Sequence, residues 1–153
     1  MSDPHDLKRF VDAQANVYAN VVVELKAGAK RSHWMWFIFP QIAGLGFSAM
    51  AQRFAIASRE EAIAYLAHPL LGPRLQECTR LVLDVKDKSI HDILGSPDDL
   101  KFRSSMTLFG AVSQDSLFRQ AIAKYYSDGK DPTTVDILAR LDAKHEAAKH
   151  DPQ

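Results

Sequence analysis

An all-α fold, a compact single-domain multihelical bundle, is the class this sequence predicts, on three observations. Apolar residues recur with a period near 3.6 in nearly every patterned segment, the spacing that gathers them on one helical face. Most of those segments open on a cap residue or close on glycine or proline. The chain has 153 residues and is 46% hydrophobic, enough for one domain that buries about two-thirds of the surface its unfolded chain exposes. The domain is expected to span 1–153, with 144–153 a frayed tail, and no repeat, low-complexity run or linker divides it.

The elements follow in order. Leu7, Phe10, Val11, Val17, Val21 and Leu25 mark one face of a long helix over 7–25, with Asp3 as cap and Gly28 as stop. The triplet Val21-Val22-Val23 favours strand, but the surrounding helical period outweighs that propensity. Pro40, Gly44 and Gly46 make 41–47 a loop, and Ser48 can cap a short helix after it. Ser58 and Glu61 form a capping box for a helix that ends at His68-Pro69. Residues 71–85 form the next, with Leu71, Leu75, Cys78 and Val85 inward and Arg74 and Glu77 as neighbours one turn apart. A short helix runs from Ser89 to Gly95. Ser96-Pro97-Asp98-Asp99 then supplies a cap, a first-turn proline and two acids for a helix to about Gly110, with Leu100, Thr107 and Leu108 inward. Asp115 caps a helix over 116–127. Asp131 starts the last one, whose Val135, Leu138 and Leu141 dock.

The stretch from Lys30 to Gln41 is unlike any other. It holds both tryptophans, and seven consecutive apolar residues, 34–40, lie between Lys30, Arg31 and His33 on one side and Gln41 on the other. A buried slab with polar ends is either the wall of a pocket or a core segment whose flanking polar groups reach solvent. The glycines that follow, at 44 and 46, either expose N–H groups to a phosphate at a helix start or make a tight turn. Asp98 and Lys101 share a helical face, with Ser105 one turn on.

These motifs carry a resemblance. Gly28-x-Lys30-x-Ser32-His33-Trp34-Met35-Trp36-Phe37-x-Phe39-Pro40-Gln41 with Gly44-Leu45-Gly46-x-Ser48, then Tyr65-Leu66-x-His68-Pro69-x-Leu71-Gly72-x-Arg74-Leu75, then Asp98-Asp99-x-Lys101-x-x-Ser104-Ser105-Met106-Thr107-Leu108-Phe109 resemble the three motifs of a small helical bacterial family of unknown function. Genome annotation often mislabels that family as calpastatin. The resemblance covers roughly residues 5 to 127 and implies a mainly α-helical fold with no established activity. A calpain inhibitor of the calpastatin kind is expected to be disordered, whereas this composition is globular.

Several function classes fall away. Nineteen basic residues balance nineteen acidic ones, so no global field draws bulk nucleic acid or an anionic membrane. The single cysteine, Cys78, sits in a helical pattern as packing, and one thiol forms no intrachain disulfide. Neither a signal-peptide order nor a membrane-length apolar run is present, so the cytoplasm is the expected location. No Gly-x-Ser-x-Gly elbow, Walker loop or His-Glu-x-x-His motif occurs, and the six histidines lack ligand spacing, so no metal and no cofactor are expected.

The layout of an early helix, a helix pair and a late Ser-Pro-x-Asp segment is also similar to that of the NADAR superfamily, helical proteins linked to NAD and ADP-ribose chemistry, whose members include N-glycoside hydrolases. After the late aspartate this chain has Leu100-Lys101-Phe102 where Trp-Gly is usual. The similarity implies a catalytic lysine, for which Lys30 and Lys101 are the candidates. A lysine amine that is desolvated beside another cation becomes nucleophilic at neutral pH, and Arg31 adjoins Lys30. Asp98 would manage protons. His33, Trp34, Gln41, Gly44, Gly46, Ser48, Arg74, Ser104 and Ser105 would contact the ligand, and Trp34 or Trp36 would stack on its base, the expected division being Trp34 on the pocket wall and Trp36 in the core. The expected partner is a small nucleotide-type ligand such as an ADP-ribose N-glycoside. The rival expectation is a non-catalytic interaction or structural module whose aromatic stretch is core, and no residue pattern sets the oligomeric state.

Overall fold

The computed structural model of the protein describes residues 2–149. The described chain forms ten helices and no strand, its only ladder being an isolated parallel bridge between Ile42 and Ile56. The expected all-α single domain is what is found.

The first helix differs from its expectation. Where the period predicts one helix over 7–25, two form: α1, Lys8–Gln14, and α2, Tyr18–Lys26. Gln14, at the end of α1, is buried and turns its amide inward, donating to the Phe37 carbonyl (2.7 Å) and the Tyr65 hydroxyl (3.3 Å). The chain breaks after it at exposed Ala15 and Asn16, so that Phe10 on one side and Val21 and Leu25 on the other all reach the core. Asp3 caps as expected, accepting from the N–H groups of Leu7 (2.9 Å) and Lys8 (3.0 Å). Arg9 pins α1 down, donating to the carbonyls of His5, Asp6, Arg53 and Ala55 and to Glu61. Gly28 stops α2 at φ +68°.

The short α3, Met35–Ile38, and α4, Ala49–Arg53, carry the slab and the chain after the glycine loop. Then α5, Arg59–Ala67, and α6, Leu71–Asp84, form a hairpin across His68-Pro69. They approach closely because residue 72 is glycine: a Cβ there would lie 2.1 Å from the Leu66 carbonyl oxygen. After α7, Ile90–Leu94, comes α8, Asp98–Val112, which runs through the centre of the domain with an unbroken buried stretch from Ser104 to Phe109. Helices α9, Leu117–Tyr125, and α10, Pro132–Lys149, close the bundle, and α8 packs against α5, α7, α9 and α10. The expected caps Ser48, Ser58, Ser89 and Asp115 each accept a backbone N–H at 3.0–3.1 Å. A chain of ring contacts threads the core: Phe54 to Phe10 (5.6 Å between centroids), Phe10 to Tyr65 (5.1 Å), Tyr65 to Phe109 (5.4 Å) and Phe109 to Phe118 (5.9 Å).

Two residues expected inside lie outside. Leu100 is 57% exposed on the first turn of α8, and Val135 is 42% exposed. At Val135 the cause is the cap. Asp131 Oδ2 accepts from the Thr134 amide (3.1 Å) and hydroxyl (2.5 Å) and from the Ser104 hydroxyl (3.1 Å), while the Asp131 amide donates to Thr107 (2.9 Å). This turns Thr134 inward and Val135 outward, and Leu138 docks as expected. Cys78 is free and buried, and burial pushes its thiol up to about 12 even though the Tyr18 hydroxyl draws it down. No described helix is long and apolar enough to cross a membrane. Of the tail expected to fray, the backbone is helical to Lys149 with exposed side chains over 144–148, and residues 150–153 lie outside the described ones.

Candidate functional site

The site is built on Glu24. It lies on the inward face of α2, one turn from Val21 and next to Leu25, and is 6% exposed. A carboxylate so placed must be paired, and the chain after Gly28 wraps round to pair it. Glu24 accepts five hydrogen bonds: from the Arg31 amide (2.7 Å), the Ser32 amide (3.0 Å) and hydroxyl (2.5 Å), the Trp34 indole (3.0 Å) and the Asn20 amide (2.7 Å). Burial alone would raise its carboxyl, but the Ser32 hydroxyl, the Arg31 amide, the Trp34 indole and the Ser32 amide together hold it at about 2. The other edge of this loop is fastened where the Lys30 amide donates to the Ile93 carbonyl (2.8 Å) in α7.

So fixed, Lys30 points along the indole of Trp34, its Nζ 5.0 Å from the ring centre, and reaches the start of α8. There Nζ meets Asp98 Oδ2 at 2.8 Å and donates to the Ser32 carbonyl at 2.6 Å, with 7% of the side chain exposed. Lys101 stands 3.7 Å from the other Asp98 oxygen, Oδ1, and 5.4 Å from the centre of the Trp36 ring. Around these groups opens a cavity of about 360 Å³, walled by residues 30–33, by Met35 and Trp36 of α3, and by Ser96, Pro97, Asp98 and Lys101. Three cationic residues, Lys30, Arg31 and Lys101, thus line a cavity with one carboxylate, Asp98, in a chain whose formal net charge is zero. The excess positive charge suits an anion, the half-buried Trp36 suits a flat ring, and Asp98 suits a hydroxyl or a proton in transfer.

Of the residues singled out from the sequence, Lys30, His33, Asp98 and Lys101 come together on this cavity. Trp34 and Trp36 exchange the places expected of them. Trp34 is core, 1% exposed and bound to Glu24, and Trp36 takes the wall. Gln41, Gly44 and Gly46 line a separate and nearly filled crevice that also borders Trp36. Gly46 sits against α4 so tightly that a Cβ would meet that of Ala51 at 2.6 Å, and Ser48 is occupied as the α4 cap.

Arg74 lies elsewhere, over the ring of Tyr18 (4.3 Å) and donating to Gln14 Oε1 (3.2 Å), rather than paired with Glu77, its neighbour one turn on. Glu77 instead accepts from Tyr18 (2.6 Å). Ser104 belongs to the α10 cap, and Ser105 is fully buried with its hydroxyl unpartnered. Of the polar residues expected to contact a ligand, His33 thus stands beside Lys30 and Lys101 on the cavity, whereas Gln41 and Ser105 do not line it.

Glu24 is the residue that sequence reasoning missed. Its signal was present: a charged residue at the buried register of a helix, between Val21 and Leu25. A larger cavity, about 720 Å³, lies between Ala43-Gly44 and α10. The charged groups among its lining residues are Arg140 and Lys144, with no carboxylate among them, so it lacks the acid–base pair that Asp98 and the lysines give the smaller cavity. Among the described residues no group of three or more His, Cys, Asp or Glu is placed to hold a metal ion.

Comparison with known proteins agrees on the fold and is silent on chemistry. The profile of a family described as a protein of unknown function, DUF1810, matches residues 4–138. The crystal structure of the conserved hypothetical protein Rv1873 from Mycobacterium tuberculosis is 59% identical in sequence, with a TM-score of 0.88 over 90% of this chain and 99% of that one. No functionally curated protein matches.

Proposed function

The chain belongs to the DUF1810 family, and from that premise, which carries no activity, we propose that it binds a nucleotide-type ligand of the ADP-ribose kind in the cavity between Lys30 and Lys101. The observation that carries this reading is the Lys30–Asp98–Lys101 cluster beside Trp36, an anion-seeking pocket with a flat wall. Arg31 and Lys101 would hold phosphate oxygens, and Trp36 would meet the base.

The reading extends to hydrolysis of an ADP-ribose-type N-glycoside. Water would add to the anomeric carbon as the C–N bond breaks, with Asp98 Oδ1 taking the water's proton and the base leaving with the bonding pair. Lys30 is already engaged by Asp98 and the Ser32 carbonyl, which supports a role in positioning Asp98 over one as nucleophile, since attack needs a neutral amine. That same engagement favours binding without turnover as the second reading.

Thermal-shift titration with ADP-ribose, NAD and AMP, followed by chromatography of the incubated mixtures, tests both. A ligand at a hundredfold excess over Kd stabilises by about 2.7 kcal/mol, a shift easily seen. Stabilisation with release of a free base supports the hydrolase reading, and stabilisation without release supports binding alone. If none of the three shifts the melting temperature at millimolar concentration, the nucleotide reading is wrong.

A further inference from the structure

We infer that the site encloses a single nucleotide unit, a ribose 5′-monophosphate bearing a flat base, and reads the vicinal diol of its ribose through Asp98. The inference deepens the nucleotide reading above and rests on it. It starts from which polar atoms of the pocket are already satisfied. Lys30 is spent: its amine has Asp98 Oδ2 at 2.8 Å and the Ser32 carbonyl at 2.6 Å, and the side chain is 7% exposed. Asp98 is half spent. Its Oδ1 has Lys101 as nearest cation at 3.7 Å, beyond hydrogen-bond length, so lone pairs on that oxygen are left for an incoming donor. Lys101, 26% exposed, is held only by that long ion pair and by the face of Trp36. Arg31 is exposed and its backbone, rather than its side chain, is what Glu24 binds.

The vacant functions are therefore one carboxylate oxygen that accepts and two cations, Lys101 and Arg31, that attract an anion. A polyanion alone fits badly, because the free oxygen of Asp98 would face it without a proton between. A ligand that offers hydroxyl donors a few bonds from a phosphate satisfies both halves at once, which is the pattern of a ribose 5′-phosphate. Ring stacking on Trp36 then releases Lys101 from the indole face toward the phosphate. Size sets the limit. At about 360 Å³ the cavity is at the small end of ligand sites, room for one base, one sugar and one phosphate, so the second half of a dinucleotide would lie in solvent.

The test is calorimetric titration of the unaltered protein with AMP, ADP-ribose, adenosine, 2′,3′-dideoxy-AMP and inorganic phosphate, so that folding of a variant is not in question. AMP and ADP-ribose should bind within about threefold of each other, and adenosine and the dideoxy analogue at least about tenfold more weakly than AMP. Dideoxy-AMP binding as well as AMP would overturn the role given to Asp98. ADP-ribose binding about thirtyfold or more tighter than AMP would overturn the single-unit limit, and phosphate matching AMP would reduce the site to one for simple anions. The first two of these leave nucleotide binding standing, and the third removes it along with the inference. Absence of binding by every nucleotide would overturn the inference together with the reading beneath it.

Discussion

Replacing Glu24 by glutamine should make the protein less stable at neutral pH and, more tellingly, less sensitive to acid. The carboxyl sits at about 2 in the folded protein against an ordinary value of 4.5. A lowering of that size corresponds to about 3 kcal/mol of folding stability, an order-of-magnitude figure for a group only 6% exposed. Because the folded value lies below the unfolded one, this contribution is complete above pH 4.5 and is lost as pH falls from there towards 2. Glutamine keeps one acceptor but turns an NH₂ toward a ring of donors, so two or more of the five hydrogen bonds fail. Urea denaturation of the parent and Glu24→Gln proteins at pH 7, 5, 4, 3 and 2.5 measures the effect. The variant should be weaker by about 2–4 kcal/mol at pH 7, a melting shift of roughly 4–16 °C, and the gap should close as the pH falls. Other carboxylates titrate in both proteins and cancel in the difference. Parallel curves from pH 7 to 2.5 would refute the account of Glu24 as the organiser of the loop.

Two further substitutions probe the packing. Gly72→Ala would gain about 0.5–1 kcal/mol from helix propensity alone, but its Cβ would lie 2.1 Å from backbone, so net destabilisation with a lower denaturation midpoint is expected; a neutral result would mean that α5 and α6 can part freely. Trp34→Ala should cost about 3–5 kcal/mol in chemical denaturation, and Trp36→Ala much less while removing any ligand-induced fluorescence change, so equal losses would contradict the division between core and wall.

The helices were legible because their signals are local. Ser48, Ser58, Ser89 and Asp115 are caps whose partners lie two or three residues away, and the sequence displays both halves of each. Where the partner is distant the reading failed. Gln14 breaks the first helix for the sake of Phe37 and Tyr65, and Val135 faces outward because Asp131 is held by α8. Periodicity cannot see such contacts. The site divides in the same way. Asp98 and Lys101 share a helical turn, so their pairing followed from spacing, but which tryptophan reaches the cavity depends on Glu24 gripping one indole from another helix. Arg74 and Ser104 are expected at the site from their motifs, Ser105 from its helical spacing and Gln41 as the polar end of the slab, but packing takes all four elsewhere.

The line of rings from Phe54 through Phe10, Tyr65 and Phe109 to Phe118 bears on how the chain can be made. Phe10 leaves the ribosome early, and its neighbours Phe54 and Tyr65 follow within the first half of the chain. Tyr65, however, also needs Phe109, and Phe109 needs Phe118. Until α8 and α9 are synthesised, the ring of Tyr65 is without the partner it has in the folded domain. At ordinary elongation rates of about 5–20 residues per second the chain from Tyr65 to Phe118 takes several seconds to emerge, and over that time Tyr65 lacks its Phe109 neighbour. The aromatic line is complete only when Phe118 joins it, so the last ring to be synthesised is also the one that closes the series.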